Sequence, residues 1–175
     1  MNKFFIKFLL LIMLSVNQSF AQLDQRAHVL DELELVGSAE FQFLFWKIYE
    51  AELYSPDGEY SGFEALPVAL KLSYRKAFSA DHLLSETERQ FMALGLDRSR
   101  YEAWLQQLSD IFVGVKPGDE LLLYLDGEGF SHFYFNTTYL GSIENSEFSQ
   151  QFSAIWLARE DRYASFSQRL TGGGV

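Results

Sequence analysis

The sequence predicts an α+β domain in which helices cover one face of a mainly antiparallel sheet. Three observations carry this. Segments of period two, rich in aromatic and branched residues, occupy the stretches before residue 75 and from 120 to 143. Two segments of period 3.6 lie between those blocks, and one or two more follow them. Strands and helices are therefore grouped rather than alternated, which argues against a parallel α/β sheet. There is no internal repeat, no low-complexity block and no linker.

The elements follow in order. Leu33, Leu35 and Gly37 suggest a first short strand, and Glu40 to Ser55 carries the strongest strand signal. In that run Phe41, Phe43 and Phe45 alternate with Gln42, Leu44 and Trp46, and its length predicts a bend or bulge near Lys47 to Glu50. Ser55-Pro56-Asp57-Gly58 is a turn, because proline presets φ and glycine tolerates positive φ. Pro67 to Tyr74 is a further strand, with Val68, Leu70, Leu72 and Tyr74 on one face and Ala69, Lys71, Ser73 and Arg75 on the other. Ser79 caps a helix that carries Leu83, Leu84, Thr87, Phe91 and Leu94, and Gly95 ends it. Asp97 caps a second helix, with Tyr101, Trp104, Leu105, Leu108, Ile111 and Phe112 along one stripe.

Lys116-Pro117-Gly118-Asp119 is a clean turn into a strand from Glu120 to Asp126. Gly127-Glu128-Gly129 closes a hairpin onto Phe130 to Asn136, and Asn136-Thr137 turns into a last strand, Thr138 to Ile143. Ser146 is expected to cap a helix whose Phe148, Phe152, Ile155 and Trp156 share a face. Tyr163, Phe166 and Leu170 predict a final helical turn or two, ahead of a glycine-rich tail.

Composition narrows the classes of function. The chain has 175 residues, of which 48% are hydrophobic and 17% aromatic, enough for one domain with a sizeable core. Lys3 and Lys7, the apolar stretch Phe8 to Val16, and Ser19-Phe20-Ala21 form the charged, apolar and small-residue pattern of a secretory signal. Residues 1–21 are therefore expected to be removed, leaving one domain, 22–175, in the periplasm of a bacterium. The apolar stretch is short of the roughly 20 residues that span a bilayer, so no stable membrane anchor is expected after cleavage. Net charge is -10, and such an acidic surface repels nucleic acid and anionic lipid head groups, so neither nucleic-acid binding nor polybasic membrane docking is expected. The chain has no cysteine, which removes thiol catalysis, Cys-based zinc sites and a lipoprotein anchor.

Motifs for chemistry are sparse. His28, His82 and His132 lie on different elements with no ligand spacing, so no metal site is expected. The G-x-S-x-G elbow is absent, and Gly127-x-Gly129 is a hairpin turn rather than a phosphate cradle, so no cofactor is expected either. Glu50 and Glu52 share a strand face, which an acidic protein uses more simply as a solvated surface than as an acid pair. What remains is Tyr74-Arg75-Lys76, where a strand leaves the sheet for a helix N-terminus, beside the aromatic run Phe41 to Tyr54. That grouping suits an apolar pocket with a cation for an acidic head group. The plainer reading is that the aromatics fill the core and Arg75 pairs with a surface acid.

Several phrases, in their order and spacing, resemble the chalcone isomerase-like family and its exported bacterial branch. They are Val36-Gly37-Ser38-Ala39, then Phe45-Trp46-Lys47-Ile48-Tyr49-Glu50-Ala51-Glu52-Leu53-Tyr54, Leu70-Lys71-Leu72-Ser73-Tyr74 and Val115-Lys116-Pro117-Gly118-Asp119. Phe133-Tyr134-Phe135-Asn136, Leu140-Gly141-Ser142-Ile143 and Phe152-Ser153-Ala154-Ile155-Trp156-Leu157 complete them. The resemblance implies an open-faced β-sandwich with a ligand cleft between a long sheet and a helical layer. Members of that family either cyclise chalcones or bind fatty acids.

The catalytic positions of the plant enzymes are not matched. Gly37 to Glu40 holds no arginine, the strand threonine falls at Tyr49, the tyrosine at the helix start falls at Phe78, and the helix asparagine falls at Ser85. Without a cation and donors for a phenolate and an enolate, chalcone cyclisation is not expected and no catalytic residue is assigned. The expected function is binding of an apolar ligand with an acidic head, such as a fatty acid, by Arg75, Tyr74, Tyr49 and Lys47. An isomerase or lyase using Tyr49, Tyr74 or His82 as acid and base, and an envelope assembly partner without a small ligand, are the alternatives.

Overall fold

A computed structural model describes residues 29–158 and 163–173. The expected secretory signal and His28 lie outside the described residues. Six antiparallel strands form one sheet in the order β1-β2-β3-β4-β5-β6, each beside its neighbour in sequence. They are β1 (Glu34–Phe43), β2 (Trp46–Ser55), β3 (Val68–Tyr74), β4 (Glu120–Leu125), β5 (Ser131–Phe135) and β6 (Thr138–Ile143). Helices α1 (Ala80–Ala93) and α2 (Arg98–Ile111) interrupt the meander after β3, and α3 (Ser146–Leu157) and α4 (Ala164–Leu170) follow β6. This is the expected α+β architecture, an open sheet with a helical layer.

Period-two alternation divides the sheet. Ala51, Leu53, Val68, Leu70, Leu72, Tyr74, Leu123, Leu125 and Phe133 turn to the helices and join Phe91, Trp104, Leu108, Phe148, Phe152 and Phe166 in the main core. The opposite face carries a smaller cluster, Ala69, Leu122 and Tyr134, packed by Val29, Leu30 and Leu33. The acids and bases of the central strands also lie on that face, where Lys71 pairs with Glu52 and Arg75 with Glu50.

Three local expectations are corrected. The stretch read as one long bent strand is a hairpin: Phe43 pairs with Trp46 across the two-residue turn Leu44-Phe45. The expected bulge is present as well, since Phe41 pairs with Tyr49 and Gln42 with Lys47, leaving Ile48 unpaired. The turn carries no sequence signature, because tight hairpin turns favour Gly, Asn or Asp, and Leu44 adopts φ 56° without being any of them. The cap of α3 is Asn145, whose Oδ1 accepts from Phe148 N at 2.9 Å, so the helix begins one residue after the cap rather than being capped by Ser146. Asp97 does cap α2 by position, but its side chain makes no capping hydrogen bond.

Two backbone contacts fix the helical layer. Gly37 sits so close to the end of α4 that a β-carbon there would lie 2.3 Å from the Arg169 carbonyl oxygen. Phe78 and Val115 exchange both backbone hydrogen bonds, at 2.9 and 2.8 Å, and so clamp the start of α1 to the segment leaving α2.

Candidate functional site

The main cavity lies between the sheet and the helical layer, with a volume of about 650 Å³. That falls within the roughly 300–1,000 Å³ usual for small-molecule sites. Its floor is built by the core-facing residues of the strands, Leu70, Leu72 and Leu123, with Phe133 beside them. Its roof comes from Leu83 and Thr87 of α1 and from Phe152, Ile155 and Trp156 of α3. Each follows from sequence periodicity: i, i+4 on the helices and i, i+2 on the strands. Phe43, Ile48, His82, Glu86, Arg89 and Tyr163 belong to the same lining. Phe43, His82 and Arg89 are exposed, so the cavity opens between the β1–β2 hairpin and α1. A second depression of about 440 Å³, beside β1 and α4, is lined mainly by polar groups such as Ser38, Glu40, Gln42 and Arg169.

Polar atoms inside the cavity are few and uncharged. Trp156 Nε1 donates to Tyr49 Oη at 3.1 Å. The Tyr49 ring stacks on Phe41 at 5.1 Å and meets Tyr74 edge-on at 5.7 Å. Tyr74 is buried, and its hydroxyl makes no hydrogen bond to a described residue. Burial, and after it the neighbouring Tyr49, push the Tyr74 phenol far above its ordinary value. It is therefore a neutral donor at any ordinary pH and a poor candidate for a catalytic base.

Charge is confined to the mouth. The Ser79 hydroxyl caps α1 by accepting from His82 N at 3.1 Å, and His82 stacks on Phe78 at 5.0 Å. One turn on, Glu86 accepts from Arg89 Nε at 2.8 Å and from Gln90 Nε2 at 2.6 Å. Burial favours the neutral acid of Glu86, but the hydrogen bonds from Arg89 and Gln90 outweigh it and hold the carboxyl below its ordinary value. Arg89 is in turn held above its ordinary value, first by its hydrogen bond to Glu86.

The four residues expected to bind a ligand divide evenly. Tyr49 and Tyr74 line the cavity. Arg75 leaves β3 toward the opposite face, where it pairs with Glu50 at 3.0 Å. Lys47 is exposed and pairs with Glu40 at 2.8 Å. The ionisable head groups that do reach the cavity, His82, Glu86 and Arg89, lie on one face of α1 at i, i+4 and i+7. That spacing was readable, but an amphipathic helix presents such a stripe whether its edge meets solvent or a cavity mouth. Among the described residues no group of three His, Asp or Glu could hold a metal ion.

An open antiparallel sheet roofed by helices, with an apolar chamber between the layers, defines a class of fold suited to enclosing a small molecule. Within that class, the chain belongs to the chalcone isomerase-like family, whose profile matches residues 19–172. An uncharacterized protein of Haemophilus influenzae is 26% identical over 137 residues, covering 78% of this chain and 67% of that one. The crystal structure of an Arabidopsis thaliana fatty-acid binding protein shares the fold, with a TM-score of 0.61 and 11% identity over 81% of this chain and 88% of that one.

Proposed function

We propose that this protein is an exported, non-catalytic carrier of an apolar ligand with an acidic head, a fatty acid being the representative case. The observation that carries the reading is the distribution of polarity in the cavity: an apolar chamber of about 650 Å³ with its charged groups at the mouth. An acyl chain fills such a chamber by leaving water. An ionised carboxylate drawn deep beside Tyr74 would meet no cation, which is costly. Its place is the mouth, within reach of Arg89 and His82. The fatty-acid binding name of the Arabidopsis neighbour agrees with this reading. A periplasmic location is supported by the signal-like pattern of residues 1–21.

The test is native mass spectrometry and solvent extraction of protein recovered from the periplasmic fraction, followed by titration with palmitate. The expected result is a co-purifying acyl lipid near one equivalent and saturable binding. A Leu72→Trp variant, which drives an indole from the floor into the chamber, should abolish binding. A chain that stays in the cytoplasm would refute the export reading. Palmitate binding undiminished in Leu72→Trp would refute the chamber as the site.

A further inference from the structure

The β1–β2 hairpin ends in four consecutive exposed apolar residues. Phe43 is 48% exposed, Leu44 75%, Phe45 95% and Trp46 58%. A solvated hairpin turn is ordinarily polar, and runs of this kind mark interaction sites. The backbone adds a second departure from rule. The turn places Leu44 at φ 56°, where glycine or asparagine is at ease and a bulky side chain is strained. Both local preferences are broken at Leu44, and the fold gains no packing from the tip, since Phe45 is almost fully exposed.

The surroundings say what the tip meets. Lys76 Nζ stands 3.8 Å from the centre of the Trp46 ring, and Lys47 follows Trp46 in the chain. The point of the hairpin is therefore Leu44 and Phe45, with an indole and two ammonium groups behind it, that of Lys47 paired with Glu40. That is the order of groups across a bilayer interface, where apolar side chains enter the acyl region while Trp and Lys stay at head-group level. A protein partner would need a matching pocket for a narrow protrusion, whereas a fluid lipid layer needs none. The tip is also continuous with the cavity, because Phe43 and Ile48 line the mouth.

We infer that the Phe43–Trp46 hairpin tip docks reversibly into a phospholipid bilayer surface and sets the cavity mouth against it. The inference rests on the carrier reading only for its purpose, the exchange of ligand with the membrane. Docking itself needs no ligand, so the two can fail separately.

The experiment uses the full chain, without fatty acid, and phosphatidylcholine vesicles whose acyl chains carry bromine as a fluorescence quencher. Parent, Trp46→Phe, Phe45→Asp and Leu44→Asn proteins are compared, so that any contribution of residues 1–28 is common to all. The expected result is quenching in the parent that Trp46→Phe removes, because Trp104 and Trp156 lie within the helical layer. Phe45→Asp and Leu44→Asn should weaken partition at least tenfold, as loss of one inserted large apolar side chain does. Leu44→Asn suits the turn conformation, so it should keep or raise thermal stability, and its palmitate affinity should match the parent's. Unquenched Trp46, or tip variants that partition like the parent, would overturn the inference. So would a parent that ignores vesicles but dimerises in sedimentation unless Phe45 is changed, which would make the tip a contact between copies.

Discussion

Arg89 and Glu86 give opposite predictions at one site. If a carboxylate head sits at the mouth, Arg89→Gln removes its cation, and Glu86→Gln removes the acid that competes for that cation. Arg89 is 68% exposed and Glu86 43%, so the full strength of a buried charge-assisted bond does not apply. An exposed ion pair is worth up to about 1 kcal/mol, or about fivefold in affinity. Arg89→Gln should therefore weaken palmitate binding about fivefold, and Glu86→Gln should tighten it by a similar factor. Hexadecanol, of the same chain length without charge, should bind both variants within about twofold of the parent, since a neutral head forms no ion pair. The assay is competition against a fluorescent fatty acid at pH 7. Glu86 is held below its ordinary value of 4.5 and so stays ionised there. Equal losses for acid and alcohol, or a weaker Glu86→Gln, would refute a head group at the mouth.

Three further outcomes follow from the geometry. Gly37→Ala would set a β-carbon 2.3 and 2.8 Å from the carbonyls of Arg169 and Leu170, and backbone cannot yield cheaply. A cost of about 2–3 kcal/mol corresponds to a fall in Tm of about 5–10 °C, read by calorimetry. Tyr74→Phe removes a hydroxyl that makes no hydrogen bond to a described residue and is not a buried unsatisfied group, so stability should hold within about 1 kcal/mol, and palmitate affinity should stay within about twofold. A tenfold loss in that variant would place the head group deep instead. Asp126 accepts from His132 Nε2 at 2.8 Å and from the backbone N–H groups of Glu128 and Phe130, both at 2.9 Å. Burial raises its pKa, but these bonds prevail and the folded value lies below the ordinary 3.8. Its stabilisation is thus present above about pH 3.8 and disappears as pH falls through the lower folded value. Urea unfolding should show Asp126→Ala weaker by about 1–2 kcal/mol at pH 7, with the gap from the parent closing in acid.

The alternation of Val68, Leu70, Leu72 and Tyr74 was enough to place that strand and its buried face, because a two-residue period has one solution once a core exists. The turns at Pro117-Gly118 and Asn136 were legible for the same kind of reason. Their side chains set or tolerate the backbone angles, and Asn136 is found at φ 52°, with its Oδ1 accepting from Glu120 N. The hairpin at Leu44-Phe45 was not legible, since Leu44 opposes the positive φ that it adopts and Phe45 is no turn residue either. A continuous aromatic run reads as a continuous strand whenever the turn within it carries no turn residue.

The same contrast separates the two tyrosines from the two cations at the site. Tyr49 and Tyr74 both line the cavity, Tyr74 on the strand face it shares with Leu70 and Leu72. Arg75 and Lys47 stand beside aromatics in the sequence, as suits an acidic ligand, but parity alone does not say which acids lie within reach. Glu50 is brought beside Arg75 because β2 and β3 pair Glu50 with Ser73, two residues before Arg75. Lys47 meets Glu40 because β1 runs back alongside β2 through the hairpin. Both cations are thus matched by acids from a neighbouring strand, a relation set by register between strands and not by spacing within one. Arg89 and Glu86, by contrast, pair within a single helix, and only the packing of α1 across the sheet turns that ordinary surface pair toward a chamber. The charge that matters for the ligand is therefore the one whose partner is local and whose surroundings are not.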